Sequence, residues 1–383
     1  MSRILFVNHT SVLGGAELSL LDIAIHYRES CRVLLFEDGP LRQRLEDRGV
    51  PVTVLQNRPS LRAVSRSSGL AGDLWAIPTV LQLAWQTGKI ARDYDLLYAN
   101  TQKSMLVGTL AASILGKPFV WHLRDLMSKA HFNRVHRCLA IGAANVSTTS
   151  VIANSFATKQ AFVESGGRES KVTVIYNGIE SEPFNGSDSA SSRRIREQLG
   201  LQDASIVGAF SRLAPWKGQH TLIQALETIP NAHVLLVGDA LFESDRSYVE
   251  HLHALTKNLQ MQDRVHFLGF REDIADVMQA CDIVAHTSVS PEPFGRVIVE
   301  GMLSARPVIA TNAGGAAEII QDGETGLLVA PGESLTLANA IREILEDPSK
   351  SEKLSRNGRQ YALRRFTLDT MLSGITKHLE QLF

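Results

Sequence analysis

The sequence predicts a two-domain α/β protein, each domain a parallel β-sheet covered by helices on both faces. Three observations predict it. A chain of 383 residues exceeds what one ordinary hydrophobic core supports. Short runs rich in Val, Ile and Leu alternate with amphipathic stretches throughout, as strands buried on both faces do. A polar run from Asn177 to Ser192, N-G-I-E-S-E-P-F-N-G-S-D-S-A-S-S, interrupts the alternation near the middle. The expected division is a first domain over residues 1–178, a linker over 179–192 and a second domain over 193–365.

In the first half the expected strands are Arg3–Asn8, Arg32–Glu37, Val50–Leu55, Leu96–Asn100, Phe119–His122, Val151–Asn154 and Val172–Tyr176. The second half repeats the rhythm with Ile206–Ser211, Val234–Val237, Val265–Phe270, Ile283–His286, Val308–Thr311 and Leu327–Val329. After the first strand, Val12-Leu13-Gly14-Gly15-Ala16-Glu17 opens a helix. Two adjacent glycines let the backbone approach a ligand, and a helix start favours negative charge. The spacing is not G-x-G-x-x-G, so the dinucleotide fingerprint is absent, and a tight strand-to-helix turn explains the pair equally well. Val120-Trp121-His122-Leu123-Arg124-Asp125 ends a strand, where open α/β sheets hold their ligands. Arg124 suits an anionic acceptor there, or a salt bridge with Asp125 or another acid. Asp93-Tyr94-Asp95 has the form of a divalent-cation motif, but it directly precedes a strand and gathers no further oxygen ligands, so it reads as an acidic strand start.

Hydrophobic residues make up 44% of the chain and charged ones 21%, ordinary for a soluble globular protein. The window Trp75 to Ile90 holds a proline, two glutamines and a lysine, and is too short and polar to span a bilayer. The stretch M-S-R-I-L-F-V-N-H-T reads as a strand and a polar loop rather than a signal peptide. Cys31, Cys138 and Cys281 lie far apart with no metal-ligand spacing, and are expected as small buried hydrophobes in a reducing compartment. A cytoplasmic protein follows as the expectation. The net charge of −1 hides an asymmetry: residues 1–178 hold 20 Lys and Arg against 13 Asp and Glu, and residues 179–383 hold 19 against 27. The basic half suits an anionic acceptor or the inner face of a membrane, with Arg58, Arg62, Arg66 and the helix around Trp75 to Trp85 as its contacts. Opposite charges that only help two domains associate remain the other reading.

The most informative stretch is Ser290 to Glu318, S-P-E-P-F-G-R-V-I-V-E-G-M-L-S-A-R-P-V-I-A-T-N-A-G-G-A-A-E. It reads as a loop, a helix from Gly295 to Leu303, a buried strand from Val308 to Thr311 and a glycine turn. At ~1.5 Å per residue, Glu300 lies about 7–8 Å along the helix from the free amides at Gly295, so it cannot share a proton with Glu292. The two acids suit opposite ends of an extended ligand whose anionic middle rests on the helix N-terminus, as in a sugar joined by a diphosphate to a nucleoside.

E-P-F-G-R-V-I-V-E resembles the E-x7-E motif of retaining glycosyltransferases of family 4, and G-G-A-A-E resembles that family's glycine turn. The resemblance covers most of the chain. It implies the GT-B fold: two Rossmann-like domains facing across a cleft, with a C-terminal helix, here Leu368 to Leu382, returning to the N-terminal domain from about residue 366. Ala209-Phe210-Ser211-Arg212-Leu213-Ala214-Pro215-Trp216-Lys217-Gly218 resembles the family's G-R-L-x-x-x-K-G element, which makes Arg212 and Lys217 the diphosphate ligands. The resemblance also implies that His122 faces the reacting sugar and that Gly14 and Gly15 face the donor phosphates and the acceptor. Val237-Gly238-Asp239 stands where the family has G-x-G, with Ala240 in place of the second glycine. Phe267 to Arg271 matches the strand end that holds the nucleobase through backbone groups near Arg271.

The expected roles follow. Arg212, Lys217 and the helix amides carry the leaving diphosphate's charge, so no metal and no cofactor are required. Glu292 holds sugar hydroxyls with the Phe294 and Gly295 amides, Arg296 and Val297 continue the donor-binding turn, and Glu300 holds the ribose. The implied reaction moves a hexose from a nucleoside-diphosphate sugar, a UDP-sugar such as UDP-glucose, to a glycan or lipid-linked saccharide with retained configuration, in polysaccharide assembly, with no nucleic acid involved. A sugar-nucleotide epimerase of the same fold and a non-enzymatic nucleotide-sugar-binding module are the competing readings. The missing fingerprint disfavours a nicotinamide oxidoreductase, and phosphate-binding elements disfavour a glycoside hydrolase.

Overall fold

The structure, a computed structural model, describes residues 2–55, 70–129, 132–185 and 190–383, with burial not described over 70–76. It divides into two compact units, Met1–Gly178 with Met371–Phe383, and Ile179–Thr370.

The first unit runs β1 (Ile4–Asn8), α1 (Gly15–His26), β2 (Cys31–Leu35), α2 (Pro40–Asp47), β3 (Val52–Val54), α3 (Leu70–Ala91), β4 (Leu96–Ala99), α4 (Gln102–Leu115), β5 (Phe119–Leu123), α5 (Arg134–Ser147), β6 (Ser150–Ala153), α6 (Phe156–Glu164) and β7 (Val172–Val174). The strands form one parallel sheet in the order β3-β2-β1-β4-β5-β6-β7. Every residue of β1, β4, β5 and β6 is buried, because parallel crossovers place helices on both faces of the sheet. Helix α4 shows how the sequence marks element ends: Thr101 and Ser104 form a reciprocal capping box, and Gly116 closes the helix in the left-handed region at φ 63°.

The second unit runs α7 (Ala190–Leu199), β8 (Ser205–Phe210), α8 (Gln219–Glu227), β9 (Ala232–Val237), α9 (Arg246–Asn258), β10 (Val265–Gly269), α10 (Ile274–Ala280), β11 (Ile283–His286), α11 (Arg296–Leu303), β12 (Val308–Thr311), α12 (Ala316–Ile319), β13 (Leu327–Val329), α13 (Ser334–Glu346) and α14 (Pro348–Arg365). Its parallel sheet has the order β10-β9-β8-β11-β12-β13. Ile179 and Thr367 form a bridge, and Arg359 donates to the Phe184 carbonyl at 3.1 Å and to Asn185 Oδ1 at 2.6 Å. These bonds tie the described start of the 179–192 run into this unit.

The final helix, α15 (Leu368–Glu380), enters the first unit, where Met371 and Ile375 are buried. Ser19 Oγ lies 3.7 Å from Met371 Sδ, Tyr27 Oη 2.7 Å from Thr376 Oγ1 and Ser150 Oγ 2.7 Å from His378 Nε2, so α15 packs beside α1 over one face of the sheet.

All thirteen expected strands are present, with no end displaced by more than two residues. Each sheet reverses its strand order once, between β1 and β4 and between β8 and β11. Ligands of open α/β sheets bind beyond the carboxyl ends of the strands at such a switch point. Cys31 and Cys281 are buried, and burial pushes both thiols up to about 12, whereas Cys138 is exposed on α5 and corrects the expectation of three buried cysteines. Asp95 accepts the Arg3 N–H at 2.7 Å, the anchoring of a strand start. Among the described residues no helix is long and apolar enough to cross a membrane. Arg58, Arg62 and Arg66 lie outside the described residues.

Candidate active site

The switch point of the second unit gathers most of the residues singled out from sequence. After β8 the chain makes a loop carrying Arg212 and a short 3-10 turn, Pro215–Lys217, ending at Gly218. After β11 it runs through Thr287 to the start of α11. The two loops are joined: Val289 donates its N–H to the Trp216 carbonyl at 2.9 Å, and Thr287 Oγ1 donates to the Lys217 carbonyl at 2.9 Å. Gly218 makes this approach possible, since a Cβ there would fall 2.1 Å from the Thr287 carbonyl oxygen and its φ is 69°.

A second close approach fixes Glu292. The glycine turn after β12 lies against the loop before α11, with Gly315 donating its N–H to the Glu292 carbonyl at 2.8 Å. A Cβ on Gly314, at φ 61°, would sit 2.4 Å from that same carbonyl oxygen. The glycines of N-A-G-G-A-A-E are therefore required by backbone packing around Glu292.

The Glu292 carboxylate is buried and unevenly loaded. Lys217 Nζ lies 2.5 Å from Oε1, His286 Nε2 lies 2.9 Å from the same oxygen, and Ser288 Oγ donates to it as well. Burial alone would raise this carboxyl's pKa, but the Lys217 ammonium and His286 outweigh it and hold the group well below the usual carboxylate range. Among the described residues no donor reaches Oε2. His286 is completed on its other side by Thr311 Oγ1, 3.3 Å from Nδ1. Sequence reading expected Lys217 on a diphosphate and Glu292 on a sugar as separate ligands; the structure brings them into one ion pair. His286 and Ser288 were missed, although both stand at the carboxyl end of β11, where the strand-end rule applies.

Arg212 lies over two rings, its guanidinium 5.4 Å from the Trp216 centroid and 5.1 Å from that of Phe242. Gly295 caps α11 at φ 107° with no side-chain cap, leaving the first helix amides without side-chain acceptors. Arg296 approaches Glu300 Oε1 at 3.5 Å, and its Nη1 is buried with no acceptor among the described residues. Burial raises the Glu300 pKa against the opposing effect of Arg296. Val297 is half-buried beside them, while the Phe294 ring packs into the core 5.9 Å from Phe366, so only its backbone is placed to serve a ligand. Gly238 donates its N–H to the Gly269 carbonyl at 2.8 Å. Arg271 is held by Asp273 at 2.7 Å, and beside it the Phe270 ring is 68% exposed at the end of β10.

In the first unit, Gly14 caps α1 beyond β1, and Gly15 is its first residue. His122 lies near the carboxyl end of β5. It sits on β5, between β4 and β6, with no exposed surface. The Tyr98 hydroxyl lies 2.5 Å from its Nδ1, and Arg124 Nη2 lies 3.2 Å away. Burial and then Arg124 push its pKa well below the usual imidazole value, and its Nε2 is buried with no partner among the described residues. Arg124 is buried and donates to Asn100 Oδ1 at 2.6 Å and to Asn177 Oδ1 at 2.8 Å.

Comparison with known proteins decides the family. The family model described as Glycosyltransferase Family 4 matches residues 13–183, and that described as Glycosyl transferases group 1 matches residues 191–361. Alr3699/HepE of Anabaena, whose crystal structure in complex with UDP-glucose is known, is 43% identical over 100% of both chains with a TM-score of 0.90. The chain belongs to the family 4 type of glycosyltransferases. Its fold is GT-B. The lipopolysaccharide core biosynthesis glycosyltransferase LpsE of Rhizobium meliloti (strain 1021) is 32% identical over 44% of this chain, and EpsD of Bacillus subtilis (strain 168), a putative glycosyltransferase, is 32% identical over 52%. The chain spans about half the length of these curated relatives, 48% of the first and 51% of the second.

Proposed function

We propose that this family 4 glycosyltransferase moves a hexose from UDP-glucose to a hydroxyl of a glycan or lipid-linked saccharide in polysaccharide assembly, with retained configuration. One observation carries the reading: Arg212, Lys217, Glu292 and the uncapped start of α11 stand together at the switch point of the second unit. The full-length likeness to HepE, solved with UDP, with UDP and glucose and with UDP-glucose, supports the choice of donor.

The chemistry needs charge stabilisation more than a strong nucleophile. Arg212, Lys217 and the α11 amides neutralise the departing diphosphate, a role that requires no divalent cation. The Arg296 Nη1, which has no acceptor among the described residues, extends this donor set toward the nucleotide. Glu292 Oε2 accepts hexose hydroxyls, Glu300 accepts from the ribose, and the exposed Phe270 ring offers a stacking face for the base. The test is UDP release from a panel of nucleotide sugars with candidate acceptors. UDP release that rises with acceptor supports transfer; interconversion of the sugar nucleotide without acceptor would favour an epimerase.

The lipid-linked acceptor draws support from α3, where Ile77, Leu81 and Trp85, spaced along one helix face, are 49, 56 and 60% exposed. Lys89 lies 3.6 Å over the Trp85 ring and adds the positive charge that an anionic bilayer attracts. Leu81→Asp with Trp85→Asp is expected to reduce binding to phosphatidylglycerol vesicles at least about tenfold in a flotation assay while UDP release from soluble donor persists.

A further inference from the structure

Glu292 is the acid that the proposed reaction aims at the hexose, and the structure shows that its two oxygens do different work. Oε1 takes three neighbours, the Lys217 ammonium at 2.5 Å, His286 Nε2 at 2.9 Å and the Ser288 hydroxyl, while Oε2 takes none among the described residues. These neighbours are not equivalent. Lys217 sits on the short turn that also belongs to the diphosphate-binding element, on a flexible stem. His286 and Ser288 sit at the rigid carboxyl end of β11 and just beyond it, and the loop holding them is fastened to the Pro215–Lys217 turn by the Val289 N–H and the Thr287 hydroxyl.

A diphosphate carries more negative charge than one carboxylate and competes directly for the Lys217 ammonium. If Lys217 were the only anchor of Glu292, donor binding would release the acid at the moment it is needed. We infer that His286, with Ser288, is the positioning residue that holds Glu292 when Lys217 turns to the diphosphate, keeping Oε1 occupied and Oε2 directed at the hexose. Thr311 Oγ1, 3.3 Å from Nδ1, holds the ring from its other side and keeps Nε2 against Oε1. The Lys217–Glu292 pair thus orders both residues before the donor arrives, and the imidazole keeps half of that order afterwards.

The inference rests on the transferase reading, and the experiment separates the two. UDP release from UDP-glucose and UDP affinity are measured for the wild type, His286→Ala, His286→Gln and His286→Asn. The expected result is a fall in kcat of roughly 30- to 100-fold for His286→Ala, with UDP affinity unchanged within about twofold. Gln, whose side-chain N–H reaches the place of Nε2, restores kcat to within about fivefold, and the shorter Asn does not. Should the Ala variant fail to fold, the Gln and Asn pair decides alone. Unchanged kcat in the Ala and Asn variants, UDP affinity lost in step with kcat, or Gln no better than Asn would each overturn the positioning role. A wild type that neither binds UDP nor releases it from UDP-glucose overturns the transferase reading, and this inference with it.

Discussion

Glu292→Gln is expected to lower turnover of UDP-glucose at least about 1,000-fold while UDP affinity shifts by less than about threefold. The glutamine preserves volume and one acceptor oxygen, but it removes the charge that His286 and Ser288 orient. Lys217, relieved of its partner, remains available for the diphosphate, which is why nucleotide binding persists. The same substitution changes acid stability in a defined direction. The folded-state pKa of Glu292 is depressed, so its ionised form contributes stability that is present above the unfolded carboxyl pKa and is lost as pH falls through the folded value. The Gln variant therefore has a flatter stability profile below about pH 4.3 than the parent, as melting curves across acid pH would show. Equal loss of turnover and of UDP binding would place Glu292 on the nucleotide instead.

Arg212→Ala combined with Lys217→Ala is expected to abolish stabilisation by UDP. A ligand at 100 times its Kd adds about 2.7 kcal/mol, or roughly 5 to 10 °C in melting temperature for a unit of this size. Lys217→Ala also leaves the buried Glu292 without its ammonium partner, so the variant melts below the parent before any nucleotide is added. The informative quantity is the difference between scans with and without UDP. A double variant that keeps that difference would remove Arg212 and Lys217 from the diphosphate.

Much of this architecture was legible because parallel strands buried on both faces leave an unambiguous trace. The run Ile4 to Asn8 and the run Ser205 to Phe210 are apolar or small at nearly every position, and turn residues punctuate what lies between. The glycines at 218 and 314 were legible as turns, but their reason was not: each admits a carbonyl from a loop distant in sequence. The strand-end rule selected His122 and passed over His286, though both stand at or next to the carboxyl end of a middle strand. Each meets a different neighbour, Tyr98 in one case and Glu292 in the other, and sequence spacing carries no signal for that. The pairing of Lys217 with Glu292 was invisible for the same reason, since 75 residues separate them. Arg124 shows the limit most plainly: a buried cation held by neutral amides has no sequence pattern of its own.

The most direct test of the central claim is a crystal structure of the protein with UDP-glucose bound in the second unit. The account predicts the diphosphate against Arg212, Lys217 and the first amides of α11, the ribose at Glu300, and a hexose hydroxyl on Glu292 Oε2 with Oε1 still held by His286 and Ser288. A hexose that makes no contact with Glu292, or a diphosphate bound away from Arg212 and Lys217, would contradict it.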